Sequence, residues 1–262
     1  MNSAVGMLEA RDLVKRFAGT QVIHGVSLTL QPGQIVGYLG PNGSGKTVTT
    51  QMLTGLLEPN SGAIFYNGQN IDADLVAFRR HLGYVPEEPR LYPFLNGREY
   101  LQLIGRLRRL DEELLEAKIS ALLELFGIAD AADKALEQYS KGMKQKVLIS
   151  AALLHDPDVL IFDEPESGLD VTSILVLRHL VRLLAARGKA ILYSSHMLEA
   201  VEKVCHRVVV IDRGHVVADD SIEHLTGLMQ KGSLEETFTK LVTQRDPIDI
   251  ARAIVEVAVQ RG

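Results

Sequence analysis

GPNGSGKT, residues 40–47, is the stretch on which the reading of this chain turns. Glycine, four residues, then Gly-Lys-Thr is the pattern of a phosphate-binding loop. Glycines let consecutive backbone N–H groups wrap phosphate oxygens, a lysine neutralises their charge, and a threonine hydroxyl ligates Mg²⁺. The candidate phosphate-binding residues are Gly40, Pro41, Asn42, Gly43, Ser44, Gly45, Lys46, Thr47 and Val48. Lys46 is also a candidate catalytic residue, and Thr47 a candidate metal ligand. An apolar run, IVGYL at 35–39, precedes the loop, and a helical pattern follows from Lys46. That strand–loop–helix context delivers phosphate to a helix N-terminus, where free N–H groups and the helix dipole favour an anion. An ordinary glycine-rich turn has no need of it.

VLIFDEPESGLD, residues 159–170, narrows the chemistry. Four apolar residues ahead of Asp163 read as a buried strand that carries a carboxylate to its C-terminal end, where open α/β sheets bind ligands. Asp163 is therefore placed to hold Mg²⁺, directly or through water. Glu164, the next residue, is offset from it and is the natural base for polarising an attacking water. A third element, YSKGMKQK at 139–146, leads into the apolar helix VLISAALL. Ser140 is typed as an N-cap, and Gly142 permits close approach to a backbone N–H. Read alone, this is either a capped helix or a second anion site.

Outward from these motifs, the first ~80 residues alternate short apolar runs with glycine turns (VSLTL, IVGYL, GAIFYNG), the texture of strands. One helix is expected from Lys46 to Glu58-Pro59, where proline cannot continue it. From about Leu95 to Lys146, apolar residues recur at helical spacing, which predicts an amphipathic helical block. Strands and helices then alternate: VLIFD, a helix near 172–186, AILYSS, a short helix, RVVVID and HVVAD. Alternation of this kind implies a largely parallel sheet covered on both faces, an α/β fold. A helical tail is expected at 228–262.

The chain has 262 residues, 46% of them hydrophobic and 23% charged, which excludes disordered and fibrous classes. A net charge of −5 gives no sign of a dedicated nucleic-acid binder. One cysteine, Cys205, allows no internal disulfide and reads as a buried small hydrophobe. The first residues lack the basic-then-apolar order of a signal peptide, and no stretch reaches the ~18 apolar residues of a membrane span. If the chain acts at a membrane, another protein must hold it there.

The order of phosphate loop, helical insert, YSKGM, strand-Asp-Glu, SGLD and SSH at 194–196 resembles the nucleotide-binding domain of ATP-binding cassette transporters over about residues 7–220. The resemblance implies a P-loop NTPase cassette at 7–227: a mainly parallel core, an antiparallel β subdomain, and a helical subdomain inserted at about 90–150. It implies ATP and Mg²⁺ bound in a head-to-tail dimer of cassettes, identical or different. In such a dimer YSKGM stands at the signature that binds the γ-phosphate of ATP held by the opposite subunit. Ser140 and Gly142 then become signature contacts, Asp170 belongs to the dimer-facing loop, and His196 reaches the γ-phosphate as a catalytic residue beside Glu164. Phe17 stands where the family stacks an aromatic on adenine; as a residue at the edge of a strand it could equally pack in the core.

Three positions depart from the usual signature and metal-site pattern. Lys141 replaces the first signature glycine and Met143 the glutamine, both leaving Ser140 and Gly142 in place. Glu87, in GYVPEEP, stands where the family usually has a glutamine touching Mg²⁺ and water; a carboxylate there is expected to bind the metal more strongly or to alter coupling. PEEPRLYPFLNGREYL and the tail GSLEETF resemble ATPase subunits of bacterial exporters, whose integral-membrane permease is usually a separate chain. The expectation is a peripheral ATPase on the cytoplasmic face of the membrane, docked near Glu87–Arg98, with no nucleic-acid partner. The rival is a soluble cassette ATPase of translation or DNA maintenance, which usually carries a long coiled coil or two cassettes. Only one phosphate loop is present, and the span from Thr47 to Ser140 is short for such a coil.

Overall fold

The structure, a computed structural model, describes residues 6–227; the expected tail at 228–262 lies outside them. A long antiparallel pair comes first, β1 (Leu8–Phe17) and β2 (Thr20–Leu30). Leu8, Ala10 and Leu13 of β1 and Val26, Leu28 and Leu30 of β2 point to the core, with half-buried or exposed residues between them. The register shifts between Ala10 and Leu13, where Asp12 takes a φ of 49° and bulges the strand. β3 (Ile35–Leu39) is buried along its whole length.

α1 (Lys46–Leu53) starts where expected but stops well short of Pro59. Thr54 closes it, and Gly55 turns left-handed at φ 67°. The Gly55 N–H then donates to the Met52 carbonyl at 2.9 Å and the Leu56 N–H to that of Gln51 at 2.9 Å. Glycine, not proline, ends this helix. β4 (Ser61–Tyr66) pairs with β1, and β5 (Gln69–Asn70) with β4, to complete a four-stranded antiparallel sheet of order β2-β1-β4-β5. α2 (Leu75–Arg80) then leads into β6 (Leu82–Val85).

The block expected at 95–146 resolves into α3 (Gly97–Leu107), α4 (Glu112–Leu125) and the start of α5 (Lys141–Leu153). Asn96 and Glu99 close the start of α3 as a reciprocal capping box, and Asp111 caps α4 by accepting the Leu114 N–H at 3.0 Å. Arg109, at φ 58°, breaks the chain between them. The three helices share an apolar cluster that includes Leu101, Leu115, Ile119, Leu136 and Val147.

The remaining elements alternate: β7 (Val159–Asp163), α6 (Val171–Ala186), β8 (Ala190–Ser195), α7 (Leu198–Val204), β9 (Arg207–Asp212), β10 (His215–Ser221) and α8 (Ile222–Gly227). The second sheet has the order β10-β9-β3-β8-β7-β6; it is parallel from β9 to β6, with β10 antiparallel at one edge. Alternate residues of its strands enter different cores. Val36, Tyr38 and Ile161 join the antiparallel sheet and α1, whereas Ile35, Leu39 and Phe162 join α5, α6 and α7. Two-sided burial accounts for the unbroken apolar runs in the sequence. Cys205 is buried as expected, close to where a Cβ on Gly37 would lie.

The helical part meets β6 through a polar contact that holds a half-buried histidine beside an arginine. The Leu82 carbonyl accepts from His155 Nε2 at 3.0 Å and from Arg108 Nη2 at 3.3 Å. Burial first, and the Arg108 charge second, push His155 from 6.5 down to about 4. The unfolded imidazole takes its proton near pH 6.5 and the folded one only near pH 4, so stability is full above pH 6.5 and lost as pH falls toward 4. Thermal midpoints measured across that window should fall more steeply for the wild type than for His155→Gln.

Candidate functional site

The loop at 40–45 runs from the C-terminal end of β3 into α1. Its far side is held by the β9–β10 turn: the Gly214 N–H donates to the Ser44 carbonyl at 2.8 Å, and a Cβ on Gly40 would overlap the Ile211 carbonyl. Asn42 and Gly43 are exposed at the tip, and Ser44 is buried beneath it. No side chain caps α1, whose N-cap is Gly45; its first N–H groups are left for an anion. Val48 packs its side chain against the core. Any contribution it makes to phosphate binding is through its backbone.

Lys46 lies folded beneath the loop, only 6% exposed. Its ammonium donates to the carbonyls of Gly40 at 2.7 Å and Pro41 at 3.3 Å, and stands 3.5 Å from Glu164 Oε1. Glu164 follows directly on β7 and takes a left-handed backbone, φ 48°, with its N–H on the Ser194 carbonyl at 3.1 Å. A non-glycine residue held there carries strain of the kind that clusters at functional sites. Its other oxygen, Oε2, lies 2.8 Å from His196 Nδ1, just past β8. Two candidate residues from separate segments, Lys46 and His196, thus converge on the carboxylate of a third.

Asp163, fully buried at the end of β7, accepts from Thr50 Oγ1 through Oδ2 at 3.0 Å, while Oδ1 has no protein partner. Burial raises its pKa, and the nearby hydroxyls of Ser194, Thr50 and Thr47 pull it back. Thr47 Oγ1 in turn reaches Glu87 Oε2 at 3.4 Å. A buried carboxylate oxygen without a donor, beside a hydroxyl and a second carboxylate, fits a hard cation. Among the described residues no three His, Cys, Asp or Glu side chains form a ready-made metal cage. Mg²⁺ is characteristically held by one or two carboxylates together with water and phosphate oxygens. Thr50 was not among the expected residues, although its spacing of three from Thr47 puts both on one helix face.

Ser140 and Gly142 stand apart from this cluster, at the N-terminus of α5. Ser140 Oγ accepts the Met143 N–H at 3.2 Å, as the N-cap reading expects. Gly142 has a packing reason to be glycine: a Cβ there would overlap the Gly168 carbonyl. The same helix face is joined to the segment after Glu164 at further points. Lys141 Nζ donates to Ser167 Oγ at 2.5 Å, Gln145 Nε2 to the Pro165 carbonyl at 3.3 Å, and Lys146 Nζ stands 3.7 Å from Asp170 Oδ2. Asp170 is the N-cap of α6. It accepts the Ser173 N–H at 2.9 Å and hydroxyl at 2.6 Å, and these, with Lys146, lower it to about 2. Phe17 ends β1 and is 46% exposed, with Lys15 Nζ 5.4 Å from its ring centroid, so it does not pack in the core. Its hairpin continues along β2 to Ile23, whose side chain lies against Gly45.

A family model described as ABC transporter matches residues 23–167. The chain is 37% identical over 242 residues to the ABC transporter ATP-binding protein NatA of Bacillus subtilis, covering 90% of this chain and 98% of that protein. The chain belongs to the ABC transporter ATP-binding family. It is also 37% identical over 215 residues to the Nod factor export ATP-binding protein I of Burkholderia lata, covering 82% of this chain and 71% of the relative. A solved ATP-binding subunit of an ABC transporter superposes with a TM-score of 0.84 at 33% identity, covering 90% of this chain and 99% of the other. ATP binding belongs to the ABC cassette, and in this subunit Lys46 and His196 meet Glu164 near the loop at 40–45, where it leaves the parallel sheet.

Proposed function

We propose that residues 7–227 form an ABC ATPase domain, with the helical part at about 90–150 inserted in it, and that the subunit hydrolyses ATP to drive export through a separate membrane permease. The observation that carries the proposal is the double contact of Glu164: one oxygen toward Lys46 at 3.5 Å, the other on His196 at 2.8 Å. Phe17 stacks on the adenine, and the backbone of residues 40–48 with Lys46 cradles the phosphates. Thr47 and Asp163, with Glu87 beside them, would hold Mg²⁺, which supplies charge neutralisation on the phosphate oxygens when bound.

Ser140 and Gly142 of a second cassette close on the γ-phosphate, with Asp170 in the loop facing that partner. Glu164 then takes the proton of the attacking water as the water oxygen bonds to the γ-phosphorus and the bond from that phosphorus to the ADP oxygen breaks. His196 orients the Glu164 carboxylate and faces the γ-phosphate. Product release reopens the dimer, a ligand-driven shift of populations.

The permease side of the proposal rests on a cleft of about 590 Å³ that runs from Thr47 and Glu87 at the candidate metal site past Gln51 and Pro86 to Arg90 and Tyr100. Beside it Tyr92 is exposed and Phe94 is 74% exposed, an apolar rim suited to a docking helix. Among the described residues no helix is long and apolar enough to cross a membrane. By likeness to the Nod factor export relative, the permease is taken as a separate chain, the subunit as peripheral on the cytoplasmic face, and nucleic acid is not expected as a partner. Capture of the subunit from native membranes in mild detergent should bring down a stoichiometric polytopic protein. A wholly soluble subunit carrying ribosomes, DNA or nothing would contradict the reading.

A further inference from the structure

Two residues beyond Glu164, a third acidic side chain occupies a position that hydrolysis itself does not require. Glu166 is 10% exposed at its side chain and accepts from Arg178 twice, Nε to Oε1 at 2.7 Å and Nη2 to Oε2 at 2.8 Å. The Tyr193 hydroxyl, fully buried on β8, donates to the same Oε1 at 2.7 Å. Arg178 lies on α6 and is 14% exposed at its side chain. One buried carboxylate thus joins the segment after β7, the helix α6 and the strand β8.

Glu164 precedes this bolt by two residues, and His196 follows Tyr193 by three. Those two groups touch each other at 2.8 Å, and the same two segments are joined by the Glu166–Tyr193 bond and by the Glu164 N–H on the Ser194 carbonyl at 3.1 Å. The left-handed backbone of Glu164 must also be sustained, since a strained residue persists only where its surroundings over-determine it. The turn behind it is built on the Ser167 N–H to the Glu164 carbonyl and the Leu169 N–H to the Glu166 carbonyl, both 3.1 Å. Bidentate pairing with a planar guanidinium fixes a carboxylate in angle as well as distance.

We infer that Glu166 is a positioning residue for hydrolysis, holding the Glu164–His196 pair in register through Arg178 and Tyr193. The inference rests on the role proposed for Glu164. It separates two quantities that a merely structural role would move together: ATP affinity, which depends on the loop at 40–48, and turnover, which depends on the aim of Glu164. A misplacement of the order of an ångström is enough to cost about 100-fold in rate.

The test measures kcat and KM for ATP on the full-length chain as wild type, Glu164→Gln, Glu166→Gln and Tyr193→Phe, with kcat counted per ATP-binding site. Glu166→Gln should lower kcat by about 10- to 100-fold with KM within about twofold, and Tyr193→Phe should lower kcat less, in the same direction. Wild-type kcat per site in Glu166→Gln, or a rise in KM matching any loss of rate, would overturn the inference. Should Glu166→Gln fail to fold, the same two criteria apply to Tyr193→Phe, which keeps the buried ring. With Glu164→Gln inactive, these outcomes bear on Glu166 alone; wild-type turnover by Glu164→Gln would remove the proposed mechanism and the inference with it.

Discussion

Replacing Glu164 with glutamine is expected to lower ATP hydrolysis by about 100-fold or more, the scale of a lost general base. ATP binding should remain, because glutamine keeps the size of the side chain and no contact of the phosphate loop depends on its charge except the 3.5 Å approach of Lys46. Phosphate release under saturating MgATP measures the first quantity, and equilibrium binding of a fluorescent ATP analogue the second. Loss of both together would mean that Glu164 supports the loop rather than the chemistry. The contact of His196 Nδ1 with Glu164 Oε2 at 2.8 Å sets a secondary expectation. His196→Ala should reduce turnover less than the glutamine variant, since it removes an orienting partner and leaves the base.

Lys46→Ala acts one step earlier. Its ammonium is buried, and the carbonyls of Gly40 and Pro41 keep it in the mouth of the loop, at 2.7 and 3.3 Å. A charge-assisted hydrogen bond to phosphate contributes roughly 1.5–3 kcal/mol, which corresponds to about 10- to 100-fold in affinity. The variant should therefore bind ATP at least about 10-fold more weakly, read by the same titration, and lose hydrolysis in proportion at low ATP. Full affinity and full turnover would reject the assignment of residues 40–47. The substitution also removes the cation beside Glu164 Oε1, an oxygen with no hydrogen-bond partner. Some loss of thermal stability is expected with it.

How much of this was legible in the sequence depends on how local each feature is. IVGYL and VLIFD are five-residue runs buried on both faces, so their composition alone marks them as central parallel strands, and the motifs that follow them fall at the strand ends. Ser140 was legible as an N-cap from its position ahead of a helix and caps α5, whereas Asp170, expected only from the resemblance as part of the dimer-facing loop, turns out to cap α6. The end of α1 was misjudged because Pro59 is the stronger breaker on paper, while the earlier left-handed Gly55 needs no such announcement. The split of the 95–146 block was hidden by its helical spacing; the turn at Arg109, the left-handed Gly127 and the caps at Asn96, Asp111 and Ser140 divide it.

Long-range contacts were beyond reach for a different reason. Glu166, Arg178 and Tyr193 are 12 and 27 residues apart in their hydrogen-bonded pairs, and no periodicity links them. The face of α5 that meets residues 165–170 is equally invisible from the sequence. There Lys141, noted only as a departure from the signature pattern, bonds Ser167 of the same chain. Thr47 and Glu87 are 40 residues apart, and their approach at 3.4 Å gives the departure from glutamine at position 87 a physical setting beside the candidate metal ligands.

The central claim is that nucleotide is held between the phosphate loop of one cassette and the Ser140–Gly142 segment of another. The most direct measurement is the solution mass of the full-length Glu164→Gln chain by light scattering, with and without MgATP. The account predicts a monomer without nucleotide and twice that mass with MgATP, reverting when Ser140 is changed to arginine at the closing surface. A Glu164→Gln chain that binds ATP yet keeps the monomer mass at saturating MgATP would contradict it.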